Sequence, residues 1–257
     1  DLPTEPHALT AAEAALLIRE KRLSAEELTR SCLARIAARD TAVKAWAFLD
    51  PDRAIARARE SDKVLAASGP KGPLHGLPLG VKDMIDTGDM PTTNNSPIYE
   101  GHRPALDANG VRILVANGAL TLGKTDTVEF AAGGRKALTR HPMDPSRTPG
   151  GSSSGSGAAV GDKQVPLAFG TQTAGSHIRP ASFNGIYALK PTHNTLPWPG
   201  ARHAAPTLDT LGWYGRSPDD LILVAEAARV PGIASLPAIG VEGLKVGVAR
   251  THNWPKA

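Results

Sequence analysis

The 257-residue sequence is poor in several features, and each shortage excludes a class of protein. A single cysteine, Cys32, excludes an intramolecular disulfide and a cysteine-based zinc site, and it predicts a reducing compartment such as the cytoplasm. Aromatic residues make up only 4% of the chain, so no base-stacking surface is evident. No apolar run approaches the roughly 18 residues of a transmembrane helix, so we expect no contact with a membrane.

Charge of one sign is also scarce. Lys and Arg number 29 against 25 Asp and Glu, which gives a formal net charge of +4. The basic residues alternate with acidic ones instead of clustering, and this pattern argues against a nucleic-acid partner. With 41% apolar and 21% charged residues, the composition is that of an average folded protein and not of a disordered chain, a collagen or a coiled coil.

The first 70 residues carry the start signals of three helices. Thr10–Glu13 and Ser24–Glu27 are capping boxes, in which a hydroxyl and a carboxylate each bind a free backbone N–H at a helix start. Asp50-Pro51 begins a third helix, because proline is favoured at the first helical position. We therefore predict a helical N-terminal segment over residues 1–70.

Beyond residue 70, short apolar runs alternate with helical segments, which is typical of a layered α/β domain. The predicted fold class is therefore α/β, with a single domain over residues 1–257 whose α/β core covers 71–257. The apolar runs and predicted strands are Leu77–Val81, Leu120–Leu122, Val165–Phe169, Ile186–Leu189 and Leu244–Val248. Predicted helices lie near Val111–Val115, near Thr127–Ala131 and from Ser217 to about Arg229.

Two glycine-rich motifs match known patterns in an unsuitable setting. Gly118–Thr125 fits the phosphate loop G-x-x-x-x-G-K-[ST], but such a loop follows a strand, whereas here the residues between the glycines form the strand themselves. Gly151–Gly155 fits the nucleophile elbow G-x-S-x-G around Ser153, with Asp209 and His252 as triad partners. The residues before this elbow are rich in proline and do not form a strand, so an α/β-hydrolase is the weaker alternative.

The segment Gly170–Ser176 has the residue types of an oxyanion hole. Its small residues let the backbone turn sharply and expose successive N–H groups, which stabilise the negative charge on an attacked carbonyl. Ser176 ends the turn and can attack if a base removes its proton. Adjacent side chains diverge, so His177 is a poor base for Ser176. This segment alone is equally compatible with a structural loop.

Taken together, the motifs resemble the amidase signature family. They are Gly80-Val-Lys82-Asp83, the Gly123-Lys-Thr125 turn, Thr148-Pro-Gly-Gly151 with the loop Gly150–Gly157, the segment Gly170–Ala181, and Leu189-Lys-Pro-Thr192. They occur in the order of the family, and the resemblance spans essentially the whole chain. Within the family, the chain looks most similar to bacterial enzymes of small amides, such as malonamidase. The resemblance implies a mixed central sheet with helices on both faces.

The resemblance also implies a reaction and its residues. Ser176 is implied as the nucleophile, Ser152 as a relay serine on a cis peptide after Gly151, and Lys82 as the base. Together they would cleave a small amide with water through an acyl-enzyme, without a metal or an organic cofactor. Burial would lower the pKa of Lys82 from about 10.4 and let it accept a proton. The oxyanion hole would consist of the backbone N–H groups of Thr173, Ala174, Gly175 and Ser176.

Three further residues are candidates for the substrate site. Ser153 is expected to support the site by hydrogen bonding. Gln172 stands where the family commonly has Asp, so a supporting hydrogen bond changes from an anionic acceptor to a neutral amide. Arg179 either binds an acidic group of the substrate or pairs with a structural carboxylate. Ala174 stands where the family often has Gly, and an alanine is tolerated there if the φ of Ala174 is negative. Trp198 belongs either to the substrate pocket or to the core.

Other hypotheses use the same family resemblance. The chain could be a glutaminase-type subunit of a tRNA-dependent amidotransferase, or a truncated, non-catalytic member that only binds. A homodimer is left open. Members of the family are considerably longer, so we expect the C-terminal part of the family fold to be missing. The strand Leu244–Val248 would then lead into it, and the chain alone would expose a sheet edge and dissolve poorly.

Overall fold

The centre of the fold is a six-stranded mixed sheet, seen in a computed structural model that describes residues 3–233, 240, 242–250 and 254. The strands are β1 (Trp46–Leu49), β2 (Pro78–Lys82), β3 (Leu120–Thr125), β4 (Leu167–Gln172), β5 (Tyr187–Leu189) and β6 (Thr210–Gly215). Their order in the sheet is β1-β3-β2-β4-β6-β5. β2 runs parallel to both β3 and β4. The carboxyl ends of these three strands therefore meet at one edge of the sheet.

Helices surround this sheet, some in contact with its strands and others packed on neighbouring helices. They are α1 (Ala11–Arg19), α2 (Ala25–Val43), α3 (Pro51–Ser68), α4 (Asn109–Ala116), α5 (Ser154–Gly161), α6 (Ile178–Asn184) and α7 (Pro218–Ala227). α5 contacts the three parallel strands, and α7 contacts β6. α5 has no charged residue and is buried from Ser154 to Val160, as expected of a helix enclosed by the core. Within the described ranges, no helix has the length and apolar character that crossing a membrane requires.

The helix signals of the first 70 residues are confirmed. Thr10 and Ser24 each accept a hydrogen bond from the backbone N–H three residues on, and Glu13 and Glu27 bind back to complete both capping boxes. Asp50 caps the third helix, whose first residue is proline. The α/β fold class is confirmed as well, because strands and helices alternate around one mixed sheet.

Several local predictions differ from the structure. The prediction of a strand over Leu244–Val248 is wrong, because these residues form no ladder with the described part of the chain, and Val246 is 83% exposed. The helix predicted near Thr127–Ala131 is reduced to a short 3₁₀ turn, because Phe130 and Ala131 adopt left-handed backbone angles that end a helix. β1, β6 and α6 were not predicted.

Candidate active site

Lys82 is fully buried at the carboxyl end of β2. Its Nζ lies 2.8 Å from Ser152 Oγ and 2.7 Å from Thr171 Oγ1. No carboxylate of the described residues lies within ion-pair distance of this amine. Burial lowers the pKa of Lys82 well below its usual value, and only the charge of Asp209 acts in the opposite direction. The environment therefore favours the neutral amine, which can accept a proton.

Ser152 belongs to the loop that leads into α5. The peptide bond between Gly151 and Ser152 is cis, as the family resemblance implied. The carbonyl oxygen of Ser152 accepts hydrogen bonds from Val128 N and Thr127 Oγ1. Gly155 lets this loop approach β3 closely, since a Cβ there would lie 2.3 Å from the backbone nitrogen of Asp126. The Ser152 hydroxyl is thus held at the base by contacts on both sides of the loop.

Ser176 lies in the turn between β4 and α6. Its carbonyl oxygen accepts a hydrogen bond from Ser153 N at 3.2 Å, which joins the two serine loops. Within the described ranges, its hydroxyl makes no hydrogen bond, including to Ser152. The N–H groups of Ala174, Gly175 and Ser176 likewise bind no described residue. Ala174 has no positive φ, so the side chain that replaces a hydrogen here is tolerated. The turn therefore presents free donors beside a free hydroxyl.

Gln172 and Arg179 hold backbone in this structure. Gln172 Oε1 accepts hydrogen bonds from His177 N and Ile178 N, both at 3.0 Å, so its amide shapes the turn around Ser176. Arg179 donates from Nε and Nη2 to the carbonyl oxygen of Gly151, at 2.9 and 2.7 Å. Of the two roles open for Arg179, pairing with a structural carboxylate is not found among the described residues, and its donors bind a backbone oxygen.

Asp209 and Thr171 contact the candidate site without having been assigned to it from the sequence. Asp209 is buried and accepts hydrogen bonds from Thr173 Oγ1 at 2.6 Å and from the backbone nitrogens of Ala204 and Ala205. Thr171 Oγ1 accepts from Lys82 and donates to Met84 Sδ. The only sequence signal for Thr171 was its place in the Gly170–Ser176 segment, whereas Asp209 had been considered for a different triad.

The two alternative motifs do not form the sites that their patterns suggest. Lys124 is buried in β3, where it donates to Thr92 Oγ1 and faces Asp83 at 3.5 Å, so Gly118–Thr125 is a strand and not a phosphate loop. Ser153 is fully buried and bonds to the backbone of Thr171. No strand precedes it, and its proposed partner His252 lies outside the described residues.

Two further side chains have clear surroundings. His177 is fully buried, and burial lowers its pKa to about 3, so it carries no charge near neutral pH. Its Nε2 faces Trp213 O and not Ser176, in agreement with its rejection as the base. Trp198 is 7% exposed and belongs to the core, where its ring stacks on His203. Across residues 3–233 and the short described stretches after them, no cluster of three metal-ligating side chains is found.

Comparisons with known proteins point to one family. The protein-family model described as Amidase matches residues 27–233. The A subunit of the glutamyl-tRNA(Gln) amidotransferase of Acidothermus cellulolyticus is 41% identical over 260 residues, which cover 94% of this chain and 52% of that protein. Its counterpart in Symbiobacterium thermophilum is 41% identical over 229 residues, covering 87% and 47%. The chain spans about half the length of the curated relatives it matches.

A solved structure gives the same picture. The native peptide amidase from Stenotrophomonas maltophilia superposes with a TM-score of 0.82 at 34% sequence identity. The match covers 93% of this chain and 52% of that one. The mixed sheet and its surrounding helices are therefore those of an amidase-type fold.

Proposed function

Because the chain belongs to the amidase signature family, we propose that it hydrolyses the C–N bond of a carboxylic amide through an acyl–serine intermediate. Ser176 is the nucleophile, Ser152 the relay and Lys82 the base. One observation carries this proposal: a fully buried lysine, unpaired by any described carboxylate, reaches the hydroxyl of Ser152. Such a lysine is costly to bury charged, and this cost is typical of a functional site.

The mechanism follows from the hydrogen-bond capacity of a neutral amine. Lys82 donates to Thr171 Oγ1 and accepts the proton of Ser152 Oγ, while Ser152 takes the proton of Ser176. Ser176 Oγ attacks the amide carbon, and the backbone N–H groups of residues 173–176 bind the oxyanion. The proton returns through Ser152 to the departing amine. Water, activated by the same relay, then hydrolyses the acyl-enzyme and regenerates the Ser176 hydroxyl.

A panel of primary amides, with ammonia detection, tests this function. Turnover is expected for short aliphatic or aryl amides, and a burst of product from an activated ester is expected to report the acyl-enzyme. A purified, folded chain that releases no ammonia from any amide and gives no burst would contradict the proposal and favour a member that only binds. We also propose a cytoplasmic location and water as the co-substrate. Light scattering of the purified chain tests whether it forms a homodimer.

A second function is favoured by the identity of the relatives. The two curated relatives named above are glutamyl-tRNA(Gln) amidotransferase A subunits, so the same chemistry could release ammonia from glutamine for a partner. Glutamine turnover that rises on addition of the other amidotransferase subunits, with little turnover of simple amides, would select this alternative. The narrower similarity to malonamidase remains a prediction.

Ser153 offers a test of the alternative nucleophile. The Ser153→Ala variant is expected to keep kcat within about tenfold of the parent, because the lost hydroxyl bonds only to neighbouring groups in the core. Ammonia release under saturating amide measures this. Abolition of turnover by Ser153→Ala, in a variant with an unchanged thermal melt, would instead support the elbow mechanism.

Asp209 is expected to act as a positioning residue. In Asp209→Asn, the turn loses a charged acceptor for Thr173, so kcat should fall by about 10- to 100-fold. The charge of Asp209 raises the pKa of Lys82, so its removal should lower that pKa further and move the acid limb of the kcat profile to lower pH. His203→Gln is the matched control, since it removes a half-exposed partner of Asp209 and leaves the carboxylate in place. If kcat of Asp209→Asn falls but the acid limb of its pH profile stays at the same pH, the proposed effect of Asp209 on the pKa of Lys82 is contradicted.

A further inference from the structure

Thr127 is a fully buried residue that binds the relay serine, and the proposed reaction gives it no role. Its Oγ1 donates to the carbonyl oxygen of Ser152 at 3.0 Å and lies 3.1 Å from the carbonyl oxygen of Val128. The same oxygen of Ser152 accepts the backbone N–H of Val128 at 3.2 Å. A carbonyl oxygen has two lone pairs, so these two donors fix the plane of the peptide that follows Ser152.

Thr127 is itself held at its backbone by the side chains of two other residues. Its N–H donates to Asp126 Oδ1 at 2.8 Å, and its carbonyl oxygen accepts from Asn95 Nδ2 at 2.8 Å. Asp126 is buried, and its second carboxylate oxygen accepts hydrogen bonds from the backbone of Leu138 and from the backbone and hydroxyl of Thr139. The Thr127 hydroxyl therefore reaches the serine loop from a backbone that is fixed on both sides.

The backbone of Ser152 has few other supports. Further contacts of its loop hold the residues on either side, through Gly151 O and Ser153 N. Among the described residues, only Thr127 and Val128 bind the backbone of Ser152 itself. Of these two contacts, the one from the Thr127 hydroxyl can be removed by a side-chain substitution.

The position of Ser152 matters because its hydroxyl has to serve two partners. In the proposed reaction, Ser152 Oγ gives its proton to Lys82 while it takes the proton of Ser176. It later passes a proton to the departing amine. Oγ is only two bonds from Cα, so a displaced backbone displaces the hydroxyl with it. A misplacement of about 1 Å at a reacting group can lower a rate by about 100-fold.

We propose that Thr127 is a positioning residue that holds Ser152 for proton transfer to the departing amine, and that it thereby favours amides over activated esters as substrates. This inference rests on the proposed amide hydrolysis. The C–N bond of the tetrahedral intermediate breaks as its nitrogen receives the proton that Ser176 lost, whereas an activated phenolate leaves without a proton. Loss of the Thr127 hydroxyl therefore slows amide cleavage more than ester cleavage. A general loss of folded structure would slow both equally.

The variant Thr127→Val tests this role, because valine has nearly the shape of threonine but no hydroxyl. The primary amide and the 4-nitrophenyl ester of one short acid are compared under single-turnover conditions. We expect the rate of amide cleavage to fall about 30-fold and the rate of ester cleavage about threefold. Thr127→Ser should restore both rates to within about threefold of the parent. Equal losses on the two substrates, or no loss on either, would overturn the role of Thr127.

Two other variants separate positioning from a general effect. Thr121→Val removes another buried threonine hydroxyl, which accepts a hydrogen bond from Arg53 near the opposite end of β3. It should leave the ratio of amide to ester rates unchanged. Asn95→Gly removes the amide that holds Thr127 O, and glycine suits the left-handed φ of 51° at this position. It should lower the same ratio by a smaller factor than Thr127→Val does.

Hydrogen exchange distinguishes the failure of this inference from the failure of the proposed function. The peptide that covers residues 150–157 is expected to exchange faster in Thr127→Val than in the parent, with exchange in α1 unchanged. A folded parent that cleaves neither substrate would contradict amide hydrolysis, and exchange would then decide alone whether Thr127 holds the Ser152 loop. Unchanged exchange over 150–157 would show that it does not.

Discussion

Replacing Ser176 with alanine is expected to reduce kcat for amide hydrolysis by about 10⁴- to 10⁶-fold. The Ser176 hydroxyl is the only group proposed to bond covalently to the substrate, and no described hydroxyl shares its place beside the free N–H groups of the turn. The residual rate then comes from the oxyanion donors and from binding alone. Ammonia release measures the loss, and mass spectrometry after reaction with an activated ester should find an acyl adduct on the parent and none on the variant.

The Ser176→Ala variant has a suitable control in Ser154→Ala. Ser154 lies in the neighbouring loop, but its hydroxyl donates to Gly150 O and faces neither the base nor the turn. It should keep most of its activity. An acyl adduct that persists in Ser176→Ala, mapped by peptide digestion to another serine, would identify a different nucleophile.

Removing the amine of Lys82 is expected to lower activity and raise stability at the same time. Lys82→Met keeps a long apolar side chain in the core but has no base, so kcat should fall by about 10²- to 10⁴-fold. Burial lowers the pKa of Lys82 in the folded chain well below the unfolded value of about 10.4. Between the lowered folded-state pKa and about pH 10.4, the unfolded chain therefore binds a proton that the folded chain does not, and this difference favours unfolding.

The free energy of unfolding at several pH values measures the sign of this effect directly. Near pH 7, Lys82→Met should have a larger free energy of unfolding than the parent. Its advantage should shrink by up to about 1.4 kcal/mol for each pH unit as the pH rises from the lowered folded-state pKa toward about 10.4. Urea titrations of both chains at several pH values test this, and Lys124→Met controls for the loss of a buried lysine that has a carboxylate nearby. A parent that is more stable than Lys82→Met at every pH would mean that the amine is buried with a compensating charge.

Much of the fold follows from local signals in the sequence. The capping boxes of α1 and α2 fix their starts, because each satisfies backbone groups within four residues of itself. β1 and β6 were harder to predict, because β1 has only four residues and β6 contains glycines that lower strand propensity. Both become strands through pairing with distant segments, β1 with β3 and β6 with β4. Such pairing leaves no mark in a local window.

Leu244–Val248 illustrates the opposite error. Its alternating apolar residues are typical of a strand, but a strand forms only where a partner supplies the hydrogen bonds. The described part of the chain supplies none here.

The candidate site likewise contains residues that sequence motifs predict and residues that only the folded structure reveals. Lys82, Ser152 and Ser176 were named from motif residues, and the structure brings Lys82 and Ser152 into contact across 70 positions of sequence. The contributions of Thr171 and Asp209 depend on contacts between segments, so residue type alone did not reveal them. Gln172 was noted as a departure, but only its geometry shows that its amide binds the backbone of His177 and Ile178.

The candidate catalytic residues at strand ends are buried, whereas some of the surrounding loops are exposed, and this difference affects how the sequence can change during evolution. Lys82 and Thr171 lie at the buried ends of parallel strands, whereas Arg202 lies on an exposed loop. Substitutions at exposed loop positions usually change the free energy of folding by less than about 0.5 kcal/mol. New substrate preferences can therefore accumulate on exposed loops under selection while the proposed catalytic groups stay in register.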